Sequence, residues 1–371
     1  MRAVMTEIGI GIVGGGYMGK AHAIAMAAVG AVFNTTLRPR LEMVCASSAQ
    51  SAEGYRAAFG FARATDDWRV LVADPRVEAV VIAAPQALHR IVAQAAFAAG
   101  KPVFCEKPLG SDVSDSRAMV AAAEAAGAIN MTGFNYIRTP ASQFARDLIE
   151  SGEIGEVTGF RGEHTEDFLA DPDAPANWRT SGLPNGTMGD LAPHPINCAL
   201  RLMGPIHSLL AEIETVYHDR PGGAVTNDDH AHMLCRFENG VLGSIYASRV
   251  ATGRKMGYAY EVTGSKGAIH FDGEDQNAIH LYKMSGPEAQ RGFTKILTGP
   301  AHPDYAAFCQ GPGHGTGYQD QIIIEARDFL NAIETGQNIW PTFRDGLAVN
   351  QVVATAHASS DAKAWRIVND F

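Results

Sequence analysis

No run of eighteen apolar residues occurs in the chain, so no membrane span is expected. There is no Cys-x-x-Cys pair and no His-Glu-x-x-His, and His164, His194, His230, His232 and His314 are scattered; no metal is expected. The five cysteines, Cys45, Cys105, Cys198, Cys235 and Cys309, are odd in number and read as free thiols of a reducing cytoplasm. Basic residues are too few for nucleic acid: 30 stand against 40 acidic ones, a net charge of −10. Residues 1–7 lack a signal-peptide pattern, which makes a cytoplasmic location the expectation. No repeat or low-complexity tract interrupts the chain. What remains is an ordinary globular composition, 46% hydrophobic and 19% charged over 371 residues, long enough for two domains.

The first third alternates strands and helices. Ile8–Val13, Leu41–Ala46, Ala79–Ala84, Pro102–Cys105 and Ile129–Gly133 read as strands. Lys20–Val29, Tyr55–Phe59, Trp68–Leu71, Ala87–Ala99 and Ser114–Ala126 read as helices. Continuous apolar strands separated by helices imply βαβ units and a parallel sheet.

Beyond residue 155 the rhythm changes to longer strands: Val157–His164, Leu209–Tyr217, His230–Phe237, Val241–Arg249, Tyr258–Thr263 and Ala268–Phe271. Asn239-Gly240 suits a type I′ hairpin, and the alternation suggests an antiparallel sheet with one covered face. Helices are expected at Pro140–Ser151, Pro195–Met203, Gln319–Thr335 and from Asp345 to Trp365. The fold class is therefore α/β. A doubly wound parallel-sheet domain spans 1–135 and a second domain with a large open, mainly antiparallel sheet spans 136–343. The final helix, 344–371, is free to pack back on the first.

Gly14, Gly16 and Gly19, with Tyr17 and Met18 between them, form G-x-G-x-x-G after a strand and before a helix. Such glycines let the backbone approach a pyrophosphate, and the helix N-terminus attracts the anion. The second strand ends at Ser47-Ser48, where a carboxylate for the adenosine ribose is usual. Either serine could bond a ribose hydroxyl or a 2′-phosphate, with Arg56 and Arg63 as conceivable phosphate partners. NAD is the expected cofactor, and NADP stays open. Ala84, Pro85 and His89 follow another strand and are expected beside the cofactor. Glu106 and Lys107 end the next.

In order along the chain, the glycine turn, Ala84-Pro85 with His89, Glu106-Lys107-Pro108, Gly189-Asp190 with His194, Gly264-Ser265-Lys266-Gly267 and Arg344-Asp345-Gly346-Leu347 resemble the Gfo/Idh/MocA oxidoreductases, the family of glucose-fructose oxidoreductase and inositol 2-dehydrogenase. The resemblance implies a Rossmann domain followed by an open sheet often used for oligomerisation, hence a dimer or tetramer. It implies that Lys107 contacts the substrate hydroxyl and the nicotinamide ribose, and that Asp190 and His194 are the other catalytic positions. Hydride leaving carbon requires a base for the hydroxyl proton, which suits His194. Lys107 can stabilise the developing oxyanion. The chain departs from the family at Ala192, where glycine is common, and at Asn197, where aspartate is. Prolines on both sides of His194 predict a late helix start, leaving Asp190 and His194 partly on a loop.

A polyol substrate needs several donors and acceptors. Asn135, His164, Asp167, Arg179, His314 and Tyr318 supply them beside Lys107, Asp190 and His194. No basic cluster marks a substrate phosphate. The expected activity is oxidation of a ring hydroxyl of an unphosphorylated cyclitol or aldopyranose. Two alternatives stand beside it: a sugar–sugar oxidoreductase with tightly held NADP, and a non-catalytic nucleotide-sensing regulator.

Overall fold

The computed structural model describes residues 5–368, and these form two compact units. The first comprises the chain up to Arg138 together with Gly317–Leu347; the second comprises Thr139–Thr316 and the chain from Ala348 onward. The division differs from the expected one. Residues 317–343 belong with the nucleotide-type sheet, and most of the last helix belongs with the second unit.

In the first unit, β1 (Thr6–Val13), α1 (Tyr17–Phe33), β2 (Leu37–Cys45), α2 (Ala49–Phe59), β3 (Arg63–Thr65), α3 (Trp68–Ala73), β4 (Ala79–Ile82), α4 (His89–Ala98), β5 (Val103–Glu106), α5 (Val113–Ala125) and β6 (Asn130–Gly133) alternate. All six strands are parallel, in the order β3-β2-β1-β4-β5-β6. Every residue of β4 and β5 is buried, because helices cover both faces. The order reverses between β1 and β4, and ligands of such sheets bind outside the strand ends at that switch point.

In the second unit, α6 (Pro140–Glu150) leads into β7 (Val157–Thr165). A short helical turn, α7 (Thr187–Asp190), precedes α8 (Pro193–Met203). Then come β8 (Ile206–Glu214), the short β9 (Asp219–Arg220) and β10 (Gly223–Ala224), β11 (His230–Phe237), β12 (Leu242–Ser248), β13 (Gly257–Gly264), β14 (Gly267–Asp272), β15 (Ala278–Lys283), β16 (Thr294–Leu297) and the turn α9 (Tyr305–Phe308). After α10 (Tyr318–Thr335), which belongs to the first unit, come α11 (Phe343–Ala362) and β17 (Arg366–Ile367). The large sheet has nine strands, β16-β15-β14-β13-β7-β12-β11-β8-β17. It is mixed rather than purely antiparallel, since β12 and β7 run parallel. Along β11, Ala231, Met233, Cys235 and Phe237 are buried while His232, Leu234 and Arg236 are exposed, so one face is covered and one is open.

Two local expectations need correction. The turn at Asn239-Gly240 is not type I′, which needs positive φ at both residues: only Gly240 is left-handed, at φ 85°. The Gly240 amide donates to the Phe237 carbonyl, giving a three-residue loop closed by a glycine. In α8, Pro193 occupies the first helical position, where a missing N–H costs nothing. The helix therefore starts before both flanking prolines are passed, and His194 stands in its first turn rather than on a loop.

Candidate active site

The first unit builds a nucleotide cradle from main chain. Gly14 has φ 107°, and a Cβ there would collide with the Ala83 carbonyl at the end of β4. A Cβ at Gly19 would strike the Gly14 carbonyl. Gly16 faces open space and caps α1 with no side-chain hydrogen bond, leaving the first amides of a 17-residue helix available to an anion. This cradle fits a dinucleotide pyrophosphate. Ser48 caps α2, its hydroxyl accepting from the Ser51 amide at 3.2 Å, and Ser47 is exposed. The two conceivable 2′-phosphate partners are engaged elsewhere: Arg63 pairs with Glu42 and Asp74, and Arg56 with Glu53.

Lys107 stands half-buried just past the end of β5. Glu106 beneath it is buried, with Oε1 2.7 Å from Nε2 of the buried His22 and Oε2 accepting from the Lys107 amide at 3.2 Å. The glutamate thus ties the strand end to α1. Glu325 on α10 lies in the same interior, with no hydrogen-bonded side-chain partner among the described residues. Burial first, and the Glu106 charge second, push its carboxyl well above the usual range.

His89 was expected at the cofactor and is instead internal. Its Nε2 is 2.9 Å from the Ala84 carbonyl, and its Nδ1 is 3.1 Å from those of Pro108 and Leu109. Burial lowers its pKa while the three carbonyls oppose that shift, and the ring braces the turn after β4 against the turn holding Lys107. Ala84 and Pro85 form the first of those turns. Asn135 donates to Gln321 at 2.9 Å and is buried. Tyr318 donates to the Met18 sulfur at 3.1 Å and stacks on the exposed Tyr17, with centroids 5.8 Å apart, beside the glycine turn.

In the second unit Arg179 and Asp190 form an ion pair, and the guanidinium also lies over Trp178 at 4.5 Å and Phe168 at 5.2 Å. His194 packs edge-on to His164, centroids 5.3 Å apart, and near Tyr258 on the covered face of the sheet. His164 is occupied with structure: Nδ1 is 3.1 Å from the Leu191 carbonyl and Nε2 is 3.1 Å from Glu166. Asp167 is engaged by Lys255 at 2.7 Å, which with the Gly253 amide lowers its pKa. His314 has Nδ1 3.3 Å from the Cys309 sulfur, and its amide donates to the Tyr305 hydroxyl.

The structure therefore brings Arg179 together with Asp190, and His164 with His194. Asp167 and His314 have separate surroundings. Sequence reasoning missed His22, Glu325, Asn227, Asp228, Asp229 and Arg249, all buried polar residues. Only the run Asn227-Asp228-Asp229 ahead of a strand offered a signal.

Comparison with known proteins is consistent with both units. Residues 8–134 match the model described as "Oxidoreductase family, NAD-binding Rossmann fold", and residues 142–270 match the "GFO/IDH/MocA C-terminal domain". Levoglucosan dehydrogenase of Pseudarthrobacter phenanthrenivorans is 36% identical, over 97% of this chain and 98% of that protein. Inositol 2-dehydrogenase of Rhizobium meliloti is 30% identical, over 91% and 92%. A solved structure of levoglucosan dehydrogenase, in complex with NADH and levoglucosan, superposes with a TM-score of 0.96 at 36% identity, covering 98% of this chain and all of that one. With an anion cradle at the sheet's switch point and a lysine closing β5, the chain belongs to the Gfo/Idh/MocA family of NAD-dependent oxidoreductases.

Proposed function

We propose that this enzyme oxidises a secondary ring hydroxyl of an unphosphorylated pyranose-type sugar, with an anhydrosugar of the levoglucosan kind as the leading substrate. The observation that carries the chemistry is Lys107 at the end of β5, in the sheet whose β1 ends in the glycine cradle. The 36% identity to a levoglucosan dehydrogenase supports the substrate class. The 30% identity to an inositol 2-dehydrogenase favours a cyclitol as the second reading.

NAD, when bound, supplies the hydride acceptor. The Gly14–Gly19 turn, with Tyr17 and Met18 in it, and the first amides of α1 would hold its pyrophosphate. His194 takes the hydroxyl proton, and Lys107 offsets charge developing on the oxygen as the alcohol becomes a ketone. Asp190, oriented by Arg179, accepts from a neighbouring ring hydroxyl. Replacing Lys107 with Ala should lower kcat by about 10²–10³. The measurement is NADH formation with levoglucosan, myo-inositol and glucose, each with NAD and with NADP. Unchanged turnover in the variant on every accepted substrate would refute the assignment.

The open face of the nine-stranded sheet, with Leu234 and Leu242 each 52% exposed, supports self-association of two copies through that face. Lysine at both positions should lower the mass seen by sedimentation; an unaltered mass rules this face out.

A further inference from the structure

The segment from Arg179 to Asp190 carries an ion pair but little regular structure: two single 3-10 turns, Trp178–Thr180 and Leu183–Asn185, and then α7. Its backbone polar groups are satisfied from below by side chains far away in sequence. Arg249, 1% exposed, donates from one terminal nitrogen to the carbonyls of Arg179 at 2.7 Å and Asn185 at 3.1 Å. Its other terminal nitrogen donates to Asn227 Oδ1 at 2.7 Å. Its Nε donates to Asp229 Oδ1 at 2.9 Å, and that carboxylate is itself fully buried.

Asn227 in turn donates to the carbonyls of Arg179 at 2.9 Å and Gly182 at 3.0 Å. Asp228 takes the segment's amide side: its Oδ2 accepts from the Met188 amide at 2.7 Å, and its carbonyl accepts from the Thr187 amide at 3.1 Å. A Cβ at Gly186 would collide with Asp228 Oδ1. Asp229 Oδ2 accepts from the amides of Val216 and Tyr217, which anchors the cluster to the chain after β8.

A buried arginine with this many directed bonds is a rigid fork, and rigidity is what a substrate-orienting pair needs. We propose that Arg249, acting with Asn227 and Asp228, is a positioning hub for substrate recognition: it fixes the backbone at Arg179 and Met188 so that the Arg179–Asp190 pair is presented in one geometry. The hub touches no substrate. This inference rests on the reading of Arg179 and Asp190 as substrate-side groups.

The test compares N227A, which removes Asn227's bonds to the Arg179 and Gly182 carbonyls and its acceptance from Arg249 but leaves the Arg249–Asp229 pair, with R249K, R179A and the double variant R179A/N227A. Sugar KM, NAD KM and melting temperature are measured for each. The proposal expects N227A and R249K to raise sugar KM about tenfold, with NAD KM unchanged. It further expects N227A to add less than twofold on top of R179A, since both act through one group. Independent effects in the double variant overturn the proposal, as does an unchanged sugar KM in N227A. If R249K does not fold, N227A and the double variant carry the test alone. A sugar KM unaltered by R179A itself refutes the underlying reading instead.

Discussion

The two units hold their chemistry in place by different means. In the first, the proposed site is built largely of main chain, amides at the start of α1 and carbonyls at strand ends, with a lysine side chain whose place is set by the last residue of β5. In the second, Arg179 and Asp190 sit on irregular chain held by side chains from positions 227–229 and 249. The handling of buried charge differs likewise. Arg249 and Asp229 are paired with each other and bonded on every side, whereas Glu325 is pushed toward its neutral form by its surroundings. A parallel sheet supplies precise backbone directions for free; a long segment must borrow them from a buried polar cluster.

Breaking the second unit's hub should have the largest effect. Arg249→Ala leaves Asp229 buried without its cation and should cost about 3–5 kcal/mol in denaturant unfolding. A loss under about 1 kcal/mol would show that the cluster does not hold the segment. The corresponding test of the first unit is Gly19→Ala, whose methyl group would press on the Gly14 carbonyl. Overpacking of this kind should destabilise by about 1–3 kcal/mol and weaken NAD binding in a fluorescence titration. Undiminished NAD affinity would mean the cradle tolerates a side chain.

The sharpest test of the contrast in buried charge is Glu325→Gln. With its folded pKa raised, Glu325 binds its proton more tightly in the folded state than in the unfolded one. Stability should therefore fall as pH rises above the ordinary carboxyl range toward the raised value, by up to about 1.4 kcal/mol per pH unit. The glutamine variant should remove that slope. Parallel stability–pH curves for the two proteins would show that Glu325 is already ionised.

This same contrast explains what was legible in the sequence. The glycine turn, Lys107 and the strand–helix alternation could be read because local pattern determines them. So could the existence of α8, although Pro193 as its first residue could not be told from a proline that ends a loop. Strands β15 and β16 were overlooked; Thr294–Leu297 is an exposed edge with no buried run to announce it. Arg249 reads in the sequence as a polar residue after a strand. Nothing local reveals that Asn227, Asp229 and the Arg179 carbonyl converge on it, since the contacts span 20 to 70 positions. His89 shows the reverse error: a histidine in a promising turn proved to be engaged by three carbonyls.

The return of Gly317–Leu347 to the first unit has a consequence for heredity as well as for packing. The covalent chain passes between the two units three times, and α11 itself is shared, its first five residues grouped with the nucleotide-type unit and the remainder with the other. Neither unit corresponds to a contiguous stretch of gene. A recombination event at residue 135 would deliver a parallel sheet without α10, and with it without Gln319, whose side chain bonds the Ala21 carbonyl on α1, and without Glu325. Exchange of cofactor preference or substrate range between relatives must therefore proceed by substitution within the chain, or by swaps with matched breakpoints near 138, 316 and 347.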